Sequence, residues 1–236
     1  MIDAYVVLDL EMSGLSAKQD HIIEIGAIKV VDHKVVEEYS CLVNAHCHIP
    51  DRVVELTGIT EEMMASGVES EVAIGKLLDF IEGYTIVGQN VSFDYSFLKQ
   101  WAVNHKRPLE VQAWDTLKIA RALLPAEQPK KLSALCEYFG IPRGRGHRAL
   151  DDTKETRQVF EALIRLAEKT GEPEKYLMPH TLRYQAKKQT PATARQLQRL
   201  REYIDRHQIQ DVIDWDGLTR SEASRITDKY ISRYGK

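Results

Sequence analysis

The stretch "YVVLDLEMSGL", Tyr5 to Leu15, constrains this chain more than any other. Tyr5, Val6, Val7 and Leu8 read as a buried strand, yet that strand runs straight into two acids, Asp9 and Glu11. Carboxylates are rarely buried unless paired or bound to a metal. Residues i and i+2 of a strand point to one face, so these two carboxylates lie side by side and repel. A cation between them relieves the repulsion, and hard oxygen ligands favour Mg²⁺ or Mn²⁺. The other reading leaves both acids past the strand's end, in solvent or capping the next segment.

Strand-like text continues in "HIIEIGAIKVV" and "KVVEEYSCLVN", separated by Asp32-His33, which predicts a hairpin. Thr60 is placed to cap a helix at "ITEEMM", and "EVAIGKLLDFIEG" sets Val72, Leu77, Leu78 and Ile81 at helical spacing before Gly83. "YTIVGQN" reads as a short strand turning at Gly88 into "SFDYSFLKQWAV", where Phe93, Phe97, Leu98 and Trp101 share a helical face. "EVQAW" is a further strand, and Asp115 is placed to cap the helix "TLKIARALL". A helix closed by Gly140 follows, then a longer one from "HRALDD" to the neighbourhood of Gly171. A strand meander followed by alternating strands and helices predicts an α/β domain on a mixed sheet.

The 236 residues suffice for one such domain and a small appendage. Residues 1–168 are assigned to the domain, 169–192 to a linker carrying Pro173, Pro179 and Pro191, and 193–236 to a small helical module. In the module, two amphipathic helices flank Ile209, Val212, Ile213, Trp215 and Leu218, and Thr219 and Glu222 have capping-box spacing. Charge divides unevenly: residues 1–164 carry 17 Lys+Arg against 25 Asp+Glu, whereas 165–236 carry 15 against 10. A body this acidic needs cations if it is to handle phosphates. No apolar run approaches the ~20 residues that span a bilayer, and the N-terminus lacks signal-peptide order. Three cysteines, Cys41, Cys47 and Cys136, are too few for a disulfide framework. A cytoplasmic setting without a membrane partner is expected.

Two further acids bear on the first pair. Asp94 falls in the first turn of a helix just after a buried strand, the edge where α/β sheets bind ligands. Complementing the helix dipole is its plainer role. In "GHRALDDTKET", His147 precedes Asp152 by five residues at a helix start, where acids are also common on a plain surface helix. In order and spacing, "DLEMSGL", "GQNVSFDYSFL" and "HRALDDTKET" resemble the three exonuclease motifs of the DEDD superfamily, histidine subtype (DEDDh, DnaQ-like). That group contains the DNA polymerase III epsilon proofreading subunit, the PolC exonuclease domain, ribonuclease T and oligoribonuclease. The resemblance covers about residues 3–166 and takes in "HIIEIGAIKV" and "ELTGITEEM". It implies a ribonuclease H-like fold.

By that resemblance Asp9, Glu11, Asp94 and Asp152 are the metal-binding acids and His147 is the general base, with Asp152 preferred to Asp151 on the family's spacing. Two divalent ions, Mg²⁺ or Mn²⁺, roughly 4 Å apart, clamp the attacking water and the leaving oxygen of a phosphodiester. An imidazole titrates near neutrality, as a base for that water must. The resemblance seats the terminal nucleotide among Met12, Leu15, Leu56, Ile59 and Phe93, with the amides near Met12 and Ser13 at its 3′ end and Asn90 nearby. Core packing is the simpler account of each.

The implied activity is 3′–5′ hydrolysis of single-stranded DNA or frayed DNA 3′ ends to nucleoside 5′-monophosphates. A DNA polymerase or another replication or repair protein is the candidate partner. Two departures are visible. Met12-Ser13 stands where many relatives have Thr-Thr or Thr-Ser, closer to oligoribonuclease text, which keeps an exoribonuclease as the alternative. Gln89-Asn90 stands where relatives often have His-Asn. An inactive nuclease-like binding module is the third reading, and the presence of all five catalytic-type residues argues against it.

"NAHCHIP" gathers His46, Cys47 and His48, but structural zinc needs a second spaced pair and none is evident. The tail text "GLTRSEASRITDKYI" is similar to a small helical module appended to bacterial DNA-processing proteins. Its cations, among them Arg220, Arg225, Lys229 and Arg233, leave phosphate contact, protein docking and a stabilising appendage all open.

Overall fold

A computed structural model of the protein describes residues 2–144, 146–211, 213, 215 and 217–235. The meander is β1 (Ala4–Met12), β2 (Ile22–Val31) and β3 (Lys34–Asn44). Asp32 and His33 both take positive φ, 48° and 63°, the two-residue hairpin turn whose twist matches that of the strands. Helices α1 (Asp51–Thr57) and α2 (Glu61–Ala65), strand β4 (Val68–Glu69) and helix α3 (Ser70–Ile81) follow. Strand and helix then alternate through β5 (Ile86–Gly88), α4 (Ser92–Asn104), β6 (Gln112–Asp115) and α5 (Thr116–Leu123). Helix α6 (Leu132–Phe139) closes on Gly140 at φ 65°, and the long α7 (Ala149–Glu168) comes next. The remaining elements are α8 (Glu174–Leu177), β7 (His180–Thr181), α9 (Ala194–His207) and α10 (Arg220–Tyr234).

The sheet has seven strands in the order β4-β3-β2-β1-β5-β6-β7. β1 pairs antiparallel with β2 and parallel with β5, so the sheet is mixed, as the element order predicts. Alternation along β1 sorts its side chains between two cores. Val6, Leu8, Leu10 and Met12 pack on the side of α3 and α4; Tyr5 and Val7 pack on the side of α5, α6 and α7. The row begun by Tyr5 and Val7 continues into Asp9 and Glu11. At that point an apolar stripe becomes an acidic one.

Three expectations change. Val72 is 50% exposed, and Ala73 and Ile74 join Leu77, Leu78 and Ile81 on the buried face of α3. Val53 and Thr57 anchor an unforeseen α1, Val53 packing with Ile23, Ile49, Ile59 and Met64 in a separate core. The expected linker 169–192 is partly built into the body. β7 pairs antiparallel with β6, the Trp114 indole donates to Leu177 O at 2.7 Å, and Leu182 is buried in the first core. Further on, the chain is pinned to α4: the Gln189 N–H donates to Asn104 Oδ1 at 3.0 Å, and Gln100 Nε2 to Lys187 O at 2.9 Å. The module has its own core around Leu200, Tyr203, Ile209, Leu218 and Tyr230, with Ile213 and Trp215 packed against it. Val212 lies outside the described residues. Capping boxes form at both module helices, Thr193 with Gln196 and Thr219 with Glu222.

Candidate active site

Four segments converge where the acidic row of β1 begins. Asp9 lies opposite Gly26 of β2, and Glu11 opposite Glu24. The start of α7 rests on that same spot. It can do so only because residue 26 has no side chain: a Cβ there would lie 2.3 Å from the Ala149 carbonyl. Thr153 Oγ1 donates to Gly26 O at 3.0 Å and closes the contact. The first turn of α7 thereby brings in Asp152, which is buried. On the other side, β5 pairs with β1 only at Val6 and Val7 before turning into α4. Beyond that pairing the Leu10 N–H donates to Asp94 Oδ1 at 3.1 Å.

His147 lies on the loop before α7, exposed, with φ 62°. Its backbone N–H donates to Asp152 Oδ2 at 2.8 Å. One ligand atom from each of Glu11, His147 and Asp152 falls within 4.8 Å of the others. Asp9 and Asp94 complete the acidic surroundings through their charge.

The electrostatics follow from crowding. Burial, with Asp152, Glu24 and Asp94 adding repulsion, pushes the Glu11 carboxyl up to about 8. Burial raises Asp94 to about 7, although the Leu10 N–H it accepts opposes the rise. Asp9 is held well above the ordinary carboxylate range, by burial first and then by Asp94 and Glu11. Asp152 is also raised by burial, against the His147 N–H. Among the described residues, Asp152 Oδ1 is buried with no hydrogen-bond partner, and the Arg143 guanidinium lies 3.5 Å away. A mutually repelling set of oxygen donors with an orphaned lone pair fits hard divalent cations.

Two ion pairs support the site. Glu24, buried in mid-strand, accepts from Arg148 Nη2 at 2.7 Å and Nε at 3.0 Å, and from the Ala149 N–H at 2.9 Å. Glu155 accepts from Arg143 Nε and from the Gly144 N–H, both at 2.9 Å. Together they fix both ends of the loop bearing His147. A signal for Glu24 was present in the sequence: an acid inside the apolar run "IIEIGAIKV" is expensive unless paired. Its partner, 124 residues away, had none.

The expected substrate-contacting residues divide. Leu15 and Leu56 are 77% and 53% exposed, and Phe93 is half-buried, edge-on to Phe97 at 5.4 Å. Met12 and Ser13 are buried with Ser13 N–H donating to His21 O at 2.8 Å. Ile59 has no exposed surface; it fills the core beside α1 and offers nothing to a ligand. Asn90 is exposed at φ 61°, and its N–H donates to Asp115 Oδ1 at 3.0 Å. That same oxygen caps α5 through the Leu117 N–H, so Asp115 has the predicted capping role and a second one. Gln89 is held by Lys130 O and Thr116. The zinc-like triplet disperses: His46 pairs with Glu69 at 2.9 Å and His48 with Glu61 at 2.6 Å.

The sequence matches the family described as "Exonuclease" over residues 6–160. This chain belongs to the exonuclease family. As an exonuclease-family chain it is 38% identical over 172 residues to the PolC-type DNA polymerase III of Thermotoga petrophila, a match covering 71% of this chain and 12% of that protein. The chain thus spans about one-eighth of the length of the PolC relatives it matches. Exonuclease X in complex with 5′ overhanging duplex DNA has a TM-score of 0.56 at 25% identity, covering 73% of this chain and 96% of that one. The nuclease domain of 3′hExo, a DEDDh family member bound to rAMP, has a TM-score of 0.60 at 19% identity, covering 70% and 92%. The fold is ribonuclease H-like, as these neighbours share it. Family membership implies divalent metal ions. Among the described residues, no helix is long and apolar enough to cross a membrane.

Proposed function

We propose that this chain is a 3′–5′ exonuclease that hydrolyses the terminal phosphodiester of single-stranded or frayed DNA and releases nucleoside 5′-monophosphates. The observation that carries this reading is the meeting of Glu11, His147 and Asp152 within 4.8 Å, from segments far apart in the chain. Asp9, Glu11, Asp94 and Asp152 are the proposed holders of two divalent ions, Mg²⁺ or Mn²⁺. Bound there, the ions supply Lewis-acid stabilisation of the anionic transition state and an acidified water. The four carboxylates act by holding a concentrated negative field that only a multiply charged cation neutralises. His147, exposed above Glu11 and Asp152, takes the proton of the attacking water on an imidazole nitrogen. Its backbone bond to Asp152 keeps the base aligned with the acid.

Leu15, Leu56 and Phe93 are the proposed apolar contacts of the terminal base, with the Asn90 side-chain amide presented to its sugar; Met12 and Ser13, buried and with the Ser13 N–H and hydroxyl held by His21, support that pocket from behind. Ile59 serves behind them as packing. The PolC relatives support a polymerase or a replication or repair protein as partner, and three cysteines without a disulfide suit the cytoplasm. RNA is the second reading, supported by Met12-Ser13.

Labelled single-stranded DNA, RNA and a mismatched primer, each with Mg²⁺, with Mn²⁺ and with chelator, test the proposal. Stepwise shortening of DNA from the 3′ end, stopped by chelator, is expected. Faster loss of RNA transfers the activity to the second reading, and no shortening of any strand with Mn²⁺ refutes both.

A further inference from the structure

A cleft of about 570 Å³ separates the helical module from the body. Its body wall includes Ser13, Asp20 and His21, and its module wall includes Arg225, Lys229 and Arg233 of α10. Ser13 follows directly on the end of β1, two residues after Glu11 in the chain. The wall is fixed rather than incidental. Gln189 ties the module's root to the body outside the cleft, through Asn104 of α4 at 2.8 Å and through Lys18 O at 2.6 Å, and within the cleft Glu222 of α10 approaches His21 to 4.0 Å.

The three cations stand at i, i+4 and i+8, hence on one face of α10, and all are exposed. The carboxylates lining the cleft are already engaged. Asp20 accepts from the Ser16 N–H at 2.8 Å, Glu61 pairs with His48 at 2.6 Å, Asp211 accepts from the Tyr230 hydroxyl at 2.8 Å and Glu222 completes its capping box with Thr219. Lys229 comes no nearer than 4.0 Å to Asp211. Arg225 and Arg233 pair with no carboxylate among the described residues. A row of exposed cations therefore faces a cleft whose carboxylates keep their charge but have lone pairs taken by protein donors. From the first to the last the row measures about 12 Å at the helical rise. A stacked strand rising about 3.4 Å per nucleotide covers that in three or four steps.

Resting on the exonuclease reading, we infer that this cleft is a binding site for the single-stranded DNA lying 5′ of the terminal nucleotide, with Arg225, Lys229 and Arg233 contacting phosphates spread over those three or four steps. The contacts are to the backbone and so independent of sequence. The module makes a long strand a better substrate than a short one, without touching the reacting atoms.

The test compares the full chain with the triple variant Arg225→Ala, Lys229→Ala, Arg233→Ala on an oligo-dT trinucleotide and on a long oligo-dT strand. The variant is expected to raise KM roughly tenfold more for the long strand than for the trinucleotide. Each lost phosphate contact flattens the log–log salt dependence of long-strand binding by ~0.7, so a change of about 2 is expected. Fluorescence anisotropy with chelator present measures that binding without hydrolysis. A long-strand affinity and salt slope equal to those of the unaltered chain overturn the inference and leave the row to a protein partner. Absence of hydrolysis in both proteins removes the exonuclease reading instead, while the anisotropy arm still decides whether the cleft binds the strand.

Discussion

The backbone N–H of His147 donates to Asp152 Oδ2 at 2.8 Å, so the loop carrying the proposed base and the helix carrying the fourth acid move as one unit. Replacing the imidazole leaves that backbone donor in place. His147→Ala is therefore expected to lower kcat by about 10²–10⁴-fold while Mn²⁺ binding, followed by calorimetry, changes little. Asp152→Ala removes the acceptor and a proposed ligand together and is expected to lose both rate and Mn²⁺ binding. An undiminished rate in His147→Ala refutes its role as base.

Burial and mutual repulsion raise Glu11 to about 8 and Asp94 to about 7. The native state then holds more protons than the unfolded chain, whose carboxylates ionise near 4.5, and its stability falls as pH rises between these values. The thermal midpoint of the chelated protein is expected to drop from pH 5 toward pH 8. Added Mg²⁺ or Mn²⁺ should reverse the drop, most at the upper end, because it binds the ionised acids. A midpoint indifferent to pH and metal contradicts this account.

Asp9 is raised by its acidic neighbours as well as by burial, so the metal-free fold bears a cost at this position. Asp9→Asn removes one repelling charge at nearly constant shape. It is expected to stabilise the chelated protein by about 0.5–2 kcal/mol and to abolish hydrolysis, stability and activity moving in opposite directions. Urea denaturation beside a nuclease assay reads both; a less stable, active variant is the contrary result.

Glu24→Gln breaks the two-oxygen grip on Arg148 and weakens the hold on the Ala149 N–H. Arg148 keeps 30% of its side chain in solvent, so the loss should be about 1–3 kcal/mol, below that of a fully buried pair. Because the start of α7 is released, kcat/KM is expected to fall roughly 10–100-fold although residue 24 touches no substrate. Wild-type stability and rate in this variant would show that the pair is incidental.

Gly26→Ala places a methyl group against the Ala149 backbone. The cost is expected at about 1–3 kcal/mol, with weaker Mn²⁺ binding because Asp152 withdraws with α7. Metal affinity equal to wild type would show that α7 tolerates displacement.

Much of the fold was legible because it rests on local patterns. The β1 alternation, the Asp32-His33 turn, the Thr60 and Asp115 caps and the Gly140 stop all depend on neighbours within a few residues, and each forms as the text predicts. Val72 was misplaced because helical spacing gives a stripe without saying which edge of it meets the sheet. β7 was missed because a two-residue edge strand has no periodicity of its own; pairing with β6 alone creates it.

The sequence by itself pointed to the chemistry: the acids and the histidine proposed to act together come from the resemblance of three motifs in fixed order to a known family, and their side chains are all present. Only the tertiary structure decided how those groups are held and at what electrostatic cost. Glu24 finds Arg148 across 124 residues, a missing Cβ at Gly26 lets α7 approach, and α10 turns three cations toward a cleft at Ser13. These are distances between remote segments. They arise when the chain packs, and no short window of residues encodes them.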